Sequence, residues 1–262
     1  MTFSADWLAL REPADHAARD ADLLRRAARA AGPAPVIVDL GCGTGATVRA
    51  LAPHLPQGTA WRLVDNDAAL LARAAAAAGD AATTHHQDLG DIDALPLDGA
   101  TLITASALLD LMPATWLHAL AARVQVPFYA ALSYDGRMCW TPEDSQDTAV
   151  TAAFNRHQRG DKGLGPALGP GAVETAAAVL AETGFDVLRA DSPWRLGPDA
   201  APLRAALVDG IATAADEAGA SGAAAWGARR RAVGAPQSCL IGHGDILALP
   251  RGSSKESPNA AD

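Results

Sequence analysis

Aromatic bulk is scarce in this chain of 262 residues, with 4 Phe and 2 Tyr set beside 6 Trp. Alanine lifts the hydrophobic fraction to 49% but brings little apolar area, so a core has to rest on Leu, Val, Ile and several of the tryptophans. Cysteine is scarcer still. Cys42, Cys139 and Cys239 are far apart and odd in number, and no C-x-x-C spacing occurs, which argues against both a zinc site and a disulfide framework. Reduced thiols in a cytoplasmic protein, with no bound metal, are the expectation. Nowhere do 18 apolar residues run without a charge or a breaker, so no membrane span is expected. Residues 1–20 carry acids and lack an apolar stretch of signal-peptide length. Basic charge is also short, 21 residues against 30 acidic ones, a net of −9 that would repel a phosphate backbone. The one dense basic run, residues 229–231, reads as a solvated helix face, and nucleic acid is not expected as a partner.

What is present is an alternation of element types. Helical spacing covers residues 6–31 and ends at Pro33 and Pro35. Strands follow at 36–40, 60–65, 82–89, 100–109 and 126–134, separated by helical stretches at 44–51, 68–78 and 115–122. The apolar runs at 36–40 and 126–132 suit strands covered on both faces. Past Tyr134 the rhythm breaks into a stretch rich in Gly, Pro and charge, with one short helix at 147–158. It resumes with a helix at 172–183, a strand at 185–196, a helix within 200–218 and a last strand at 237–249. The pattern predicts an α/β fold with a doubly wound, mostly parallel sheet and helices on both faces. One domain over 1–250 is expected, with 1–32 as an N-terminal helical lid and 135–170 as a substrate-facing insertion. The polar residues 251–262 read as a disordered tail.

The most informative stretch is VIVDLGCGTG, residues 36–45. Gly41, Gly43 and Gly45 alternate in the turn between the first strand and its helix, where glycine permits positive φ and lets a ligand approach the backbone. The helix that follows offers free N–H groups to electronegative atoms. Two nucleotide-cofactor classes use such a turn. The dinucleotide pattern G-x-G-x-x-G/A is satisfied through Ala46, and an acid, Asp65, ends the second strand, where it could bond ribose hydroxyls of either cofactor.

The stretch also resembles motif I of class I S-adenosylmethionine-dependent methyltransferases, and the resemblance runs in order over residues 36–134. It implies a seven-stranded sheet with an antiparallel last strand and S-adenosyl-L-methionine as cofactor. It places Asp65 on the ribose with Asn66 facing the same pocket. Asp88 would meet the adenine amino group and Leu89 would pack the ring. Ser106 would lie beside the methionine part, and Asp39 would serve the amino-acid end. Asp110, in TASALLD, would point toward the reacting methyl. An NAD(P)-dependent oxidoreductase using the same turn is the alternative, although no Y-x-x-x-K is present. A non-catalytic protein of the methyltransferase fold is a third reading.

The acceptor has to be read from the variable segments, because in-line displacement on an activated methyl demands positioning more than a fixed catalytic group. Residues 154–170 gather Asn155, His157, Gln158, Asp161 and Lys162 beside a glycine-proline loop. His157 could act as a base near neutral pH, and Arg156, Arg159 or Lys162 could hold an anionic acceptor; an ordinary solvated connection is the competing reading. His85 and His86 suit a strand edge, and the glycines around His243 suggest a bulge or close packing. Cys42 reads as a small residue filling the turn. Trp7 would wall the cofactor pocket or anchor the first helix. A small-molecule acceptor is expected; a homodimer is left open.

Overall fold

The computed structural model describes residues 3–232 and 237–252, so the predicted tail beyond residue 252 lies outside the described residues. The single N-terminal helix expected from spacing is two helices. α1 (Ala5–Ala18) carries Pro13 inside it and begins at Ser4, whose hydroxyl accepts the Trp7 N–H at 3.1 Å. α2 (Ala21–Ala30) begins at Asp20, whose carboxylate accepts the N–H groups of Asp22 and Leu23. That cap satisfies donors a helix start leaves open, and it makes the corner at Arg19 and Asp20 a fixed joint.

The alternation then proceeds as β1 (Val36–Leu40), α3 (Ala46–Leu51), β2 (Ala60–Asp65), α4 (Ala68–Ala78), β3 (Ala82–His86), β4 (Leu102–Ser106) and α5 (Ala114–Arg123). β5 (Phe128–Thr141) and α6 (Asp147–Gln158) follow, then α7 (Ala172–Glu182), β6 (Phe185–Asp191), β7 (Trp194–Leu196), α8 (Ala201–Glu217), α9 (Ala223–Ala232) and β8 (Ser238–Pro250). The strand order is β3-β2-β1-β4-β5-β8-β6, with β7 also on β8. β1 to β5 run parallel, while β8 is antiparallel to β5, β6 and β7. The sheet thus has eight strands among the described residues where seven are expected. The extra one arises because Pro193, with no N–H to give, splits the predicted 185–196 strand.

Two apolar clusters cover the two faces of the sheet. Leu117, Leu120 and Val179 pack from α5 and α7 on one side, and Leu24, Val48 and Leu71 from α2, α3 and α4 on the other. A third cluster lies where β5 outruns its predicted end and pairs with β8 as far as Thr141 and Ser238. Its largest members, Trp140, Trp194 and Trp226, are buried, which supplies the tryptophan share of the core. The basic run on α9 departs from the solvated face expected of it. Arg230 is 4% exposed, lies over the rings of Trp140 and Trp226, and pairs with Asp147, while Arg229 and Arg231 pair at the surface with Asp144 and Asp209. Local charge density could not reveal this: Trp226 is on the same helix, but Trp140 and Asp147 come from distant parts of the chain.

Gly45 shows how tightly the first turn is built. Its φ is +85°, and a Cβ there would lie 3.1 Å from the Cα of Ala74 in α4. Gly45→Ala should therefore cost about 1–3 kcal/mol in a denaturant titration, from left-handed strain together with a close approach to backbone. A change within experimental error would mean that α3 and α4 can separate freely.

Candidate active site

The order of the sheet turns at β1, with β2 on one side and β4 on the other, and there the carboxyl ends of the strands open a crevice. A cleft of about 260 Å³ occupies it. The glycine turn forms its floor. Gly41 and Gly43 have φ of +65° and +53°, and Cβ atoms on them would lie 3.3 Å from Leu108 and 3.2 Å from Leu8. The turn is tied to β2 twice: Cys42 N–H donates to the Val64 carbonyl at 3.0 Å, and Gly43 N–H donates to Asp65 Oδ2 at 2.8 Å. The other Asp65 oxygen accepts Asp67 N–H at 3.0 Å. Each oxygen of a carboxylate can accept two bonds, so Asp65 keeps capacity toward the cleft it lines.

Seven of the nine residues assigned to the cofactor from sequence line this cleft: Gly41, Gly43, Asp65, Asn66, Asp88, Leu89 and Ser106. Asp88 accepts the Gly90 N–H at 2.8 Å, and the Leu89 carbonyl accepts the Trp116 indole N–H at 2.7 Å, which pins the loop after β3. Gly45 lies behind the turn, against α4. His157 does not join the cleft lining; its Nε2 faces Glu217 of α8 at 3.0 Å. Of the 135–170 segment, Lys162, Gly163 and Leu164 reach the cleft, while Arg156 and Arg159 do not. Residues 135–141 are the end of β5. His86 lies on the edge strand with Nε2 at 3.0 Å from the Asn66 carbonyl, and Cys42 is buried in the turn, where burial pushes its thiol well above the ordinary range. Trp7 packs as a partly buried residue against the third cluster.

Asp39 sits beneath the turn, 1% exposed, with Oδ1 accepting the Thr104 hydroxyl at 2.7 Å. Burial raises its pKa to about 7, against the opposing pull of the Thr104 bond and the Arg19 charge. The folded state holds this proton more tightly than the unfolded chain. The stabilisation is therefore complete below the ordinary carboxylate pKa and is lost as pH climbs through about 7. Asp39→Asn keeps an acceptor for Thr104. It should change stability little near pH 4 and raise it by on the order of 1–3 kcal/mol near pH 8.5, read as thermal melts at both pH values. An equal shift at the two pH values would contradict the assignment.

Asp110 lies in the short helical turn Leu109–Leu111 after β4, between the cleft residues Leu108 and Leu111. Its Oδ1 is buried without a hydrogen-bond partner among the described residues, and burial raises its pKa to about 6. Residues 1–32 are expected as a helical lid, but the side chains of α1 and its corner that line the cleft, Leu8, Arg11, Asp15 and Arg19, are not singled out from sequence. Asp15 takes two bonds from Arg11, at 2.8 and 3.0 Å, and one from the Trp194 indole at 2.9 Å. Arg19 is 7% exposed; its Nη2 donates to Ser106 Oγ at 2.9 Å, and its Nη1 is buried with no partner among the described residues. The Asp20 cap was the available signal that the chain turns here and brings Arg19 inward. Arg49 of α3 clasps α1 by pairing with Glu12 and donating to the Thr44 carbonyl at 2.7 Å.

The residues fit an amino-acid-bearing nucleoside. The glycine cradle would be filled by side chains, Asp65 has free acceptor capacity, and a buried guanidinium nitrogen lacks its acceptor. Among the described residues no group of three or more His, Cys, Asp or Glu could hold a metal ion, and no helix is long and apolar enough to cross a membrane.

Residues 37–126 match the family model of a methyltransferase domain. No curated protein matches the sequence. Among solved structures, the YcgJ protein of Bacillus subtilis is 12% identical, with a TM-score of 0.53 over 88% of this chain and 98% of that one. A SAM-dependent methyltransferase from Geobacter sulfurreducens, in complex with S-adenosyl-L-homocysteine, is 15% identical with a TM-score of 0.50 over 96% of this chain and 100% of that one. Geranyl diphosphate C-methyltransferase from Streptomyces coelicolor A3(2), in complex with Mg2+, geranyl diphosphate and S-adenosyl-L-homocysteine, is 17% identical with a TM-score of 0.50 over 88% and 76%. At these identities the likeness is one of fold.

Proposed function

We propose that this chain, whose residues 37–126 match the family model of a methyltransferase domain, is a class I S-adenosylmethionine-dependent methyltransferase that transfers the cofactor's methyl to a small-molecule acceptor in the cleft above its glycine turn. The observation that carries this reading is the joint between turn and strand: the Gly43 N–H is bonded to Asp65 at 2.8 Å, beside glycines that leave no side chain over the floor. Asp65 accepts the ribose hydroxyls, with Asn66 beside it. Asp88 takes the adenine amino group and Leu89 packs the ring. Arg19 offers its free Nη1 to the carboxylate, next to Ser106, and Asp39 with its labile proton lies under the same end.

When bound, the cofactor supplies a methyl on a sulfonium, already activated for in-line displacement. The chain's task is to position the acceptor and keep water away. The carboxyl assigned to the proton that the acceptor atom gives up is that of Asp110, whose pKa of about 6 lies near neutrality; it stands behind the cleft residues Leu108 and Leu111, so the proton reaches it by relay and not by direct contact. His157, held against Glu217, has no part in this scheme. The net charge of −9 sets nucleic acid aside as an acceptor, and three free thiols accord with a cytoplasmic setting.

Isothermal calorimetry with S-adenosylhomocysteine and with NADH tests the reading. S-adenosylhomocysteine should bind with micromolar affinity and NADH should give no heat. Binding of NADH alone would return the turn to the dinucleotide class that its sequence also satisfies.

A further inference from the structure

The mouth of the cleft carries a charge that the cofactor scheme leaves unused. Lys162 is the only lysine among the described residues, and it lines the cleft beside Leu164. Its ammonium donates to one carbonyl, that of His157 at 3.2 Å, and it makes no salt bridge among the described residues. An ammonium has three donors, so two are left for a ligand or water. Burial lowers its pKa, against the weaker opposing pull of the Glu217 and Asp110 carboxylates, neither of which is close enough to pair with it. The other cations of the cleft are engaged: Arg11 by Asp15, and Arg19 by Ser106 and the carboxylate assigned to it above.

The loop that presents this ammonium is ordered by its own bonds. Asp161 Oδ1 accepts the N–H groups of Gly163 and Gly165 at 2.7 and 2.9 Å, and Asp161 bridges Pro166. The loop then bridges Pro113 through Ala167, and Leu168 N–H donates to the Met112 carbonyl at 2.9 Å, which ties it to the exit of β4 where Asp110 sits. Its tip, Leu164, is the exposed large hydrophobic residue of the described chain, 40% accessible, and faces a cleft whose walls include Leu111 and Met112. An apolar wall with one ammonium that makes no salt bridge suits a ligand that is apolar along its body and carries one negative charge.

We propose that the methyl acceptor is an amphipathic carboxylate, its apolar body against Leu111, Met112 and Leu164 and its carboxylate on the Lys162 ammonium. This rests on the methyltransferase reading and adds the acceptor's chemical class. A single ammonium balances a single charge, whereas a phosphate ester or diphosphate would call for a second free cation; Arg11 is paired with Asp15, and the open Nη1 of Arg19 is assigned to the cofactor's carboxylate.

Three probes of similar apolar body decide it: 3-phenylpropanoate, 3-phenylpropanamide and 2-phenylethyl phosphate, each titrated by calorimetry into the full chain saturated with S-adenosylhomocysteine. The carboxylate should bind at least about tenfold more tightly than the amide, the worth of one charge-assisted hydrogen bond. Lys162→Gln should erase that difference and Lys162→Arg should keep most of it, with S-adenosylhomocysteine affinity within about twofold of the parent in both. Equal binding of carboxylate and amide, tighter binding of the phosphate, binding of none of the three, or a Lys162→Gln effect on S-adenosylhomocysteine alone would each overturn the proposal. Failure of S-adenosylhomocysteine to bind the parent chain would instead remove the methyltransferase reading beneath it.

Discussion

Asp65→Ala weakens S-adenosylhomocysteine binding by about a hundredfold or more, the largest effect expected of any single change in the cleft. The carboxylate does two jobs. One lone pair on each oxygen is already bonded to backbone, Gly43 N–H at 2.8 Å and Asp67 N–H at 3.0 Å, and the remaining acceptor capacity is what the ribose hydroxyls would use. Alanine would remove the two charge-assisted bonds proposed to the ribose and also free the turn that forms the cleft floor. Asp65→Asn separates the two contributions. Its amide keeps one acceptor oxygen but sets an NH₂ against either Gly43 or Asp67 N–H, so it should lose affinity almost as far as alanine does. Calorimetry measures the affinity, and a thermal melt without ligand reports the loosened turn. An Asp65→Ala chain that binds S-adenosylhomocysteine as the parent does would show that the nucleoside lies elsewhere.

Much of this floor was legible because its causes are local. β1, β2, α4 and α6 run over the residues that their apolar spacing and breakers predict, and the glycine turn stands where strand gives way to helix. Acids placed by resemblance, Asp65 and Asp88, line the cleft because the parallel register brings the ends of β2 and β3 level with the turn. What stayed hidden depends on contacts distant in sequence. The end of β5 has a polar, glycine-bearing stretch after Tyr134 and is a strand because β8 pairs with it across register shifts. His157 looked like a candidate base in its own segment, but α8 brings Glu217 to it from sixty residues away. Arg19 gave no local signal beyond the Asp20 cap, yet it is the buried cation of the cleft. The walls of the site are tertiary products; the floor is a local one.

The same distinction sets the second large effect, at a residue with no motif around it. Asp245 of β8 is 0% exposed, and its two oxygens accept from different parts of the chain: Leu132 N–H in β5 at 2.8 Å and Asp20 N–H, at the start of α2, at 2.9 Å. Leu132 has φ of +59°, a left-handed conformation costly for a leucine, at the first register shift of β5 against β8. That kink turns Leu132 into the cleft, and the Asp20 bond fixes the corner from which Arg19 enters it. One buried carboxylate therefore holds two walls of the site without touching ligand. Asp245→Ala leaves two interior N–H groups without an acceptor, at about 1–3 kcal/mol each, and takes away what offsets the Leu132 strain. The expected loss is about 3–5 kcal/mol of unfolding free energy by denaturant titration. Asp245→Asn can still accept one of the two bonds and should lose about half as much. In whatever fraction of Asp245→Ala remains folded, S-adenosylhomocysteine affinity should fall about tenfold, because Arg19 and Leu132 are no longer held in place. An Asp245→Ala chain as stable as the parent would mean that the β5 kink and the α2 corner are fixed by packing alone. A stability loss with cofactor affinity unchanged would confine Asp245 to the fold and leave the position of Arg19 to its bond with Ser106.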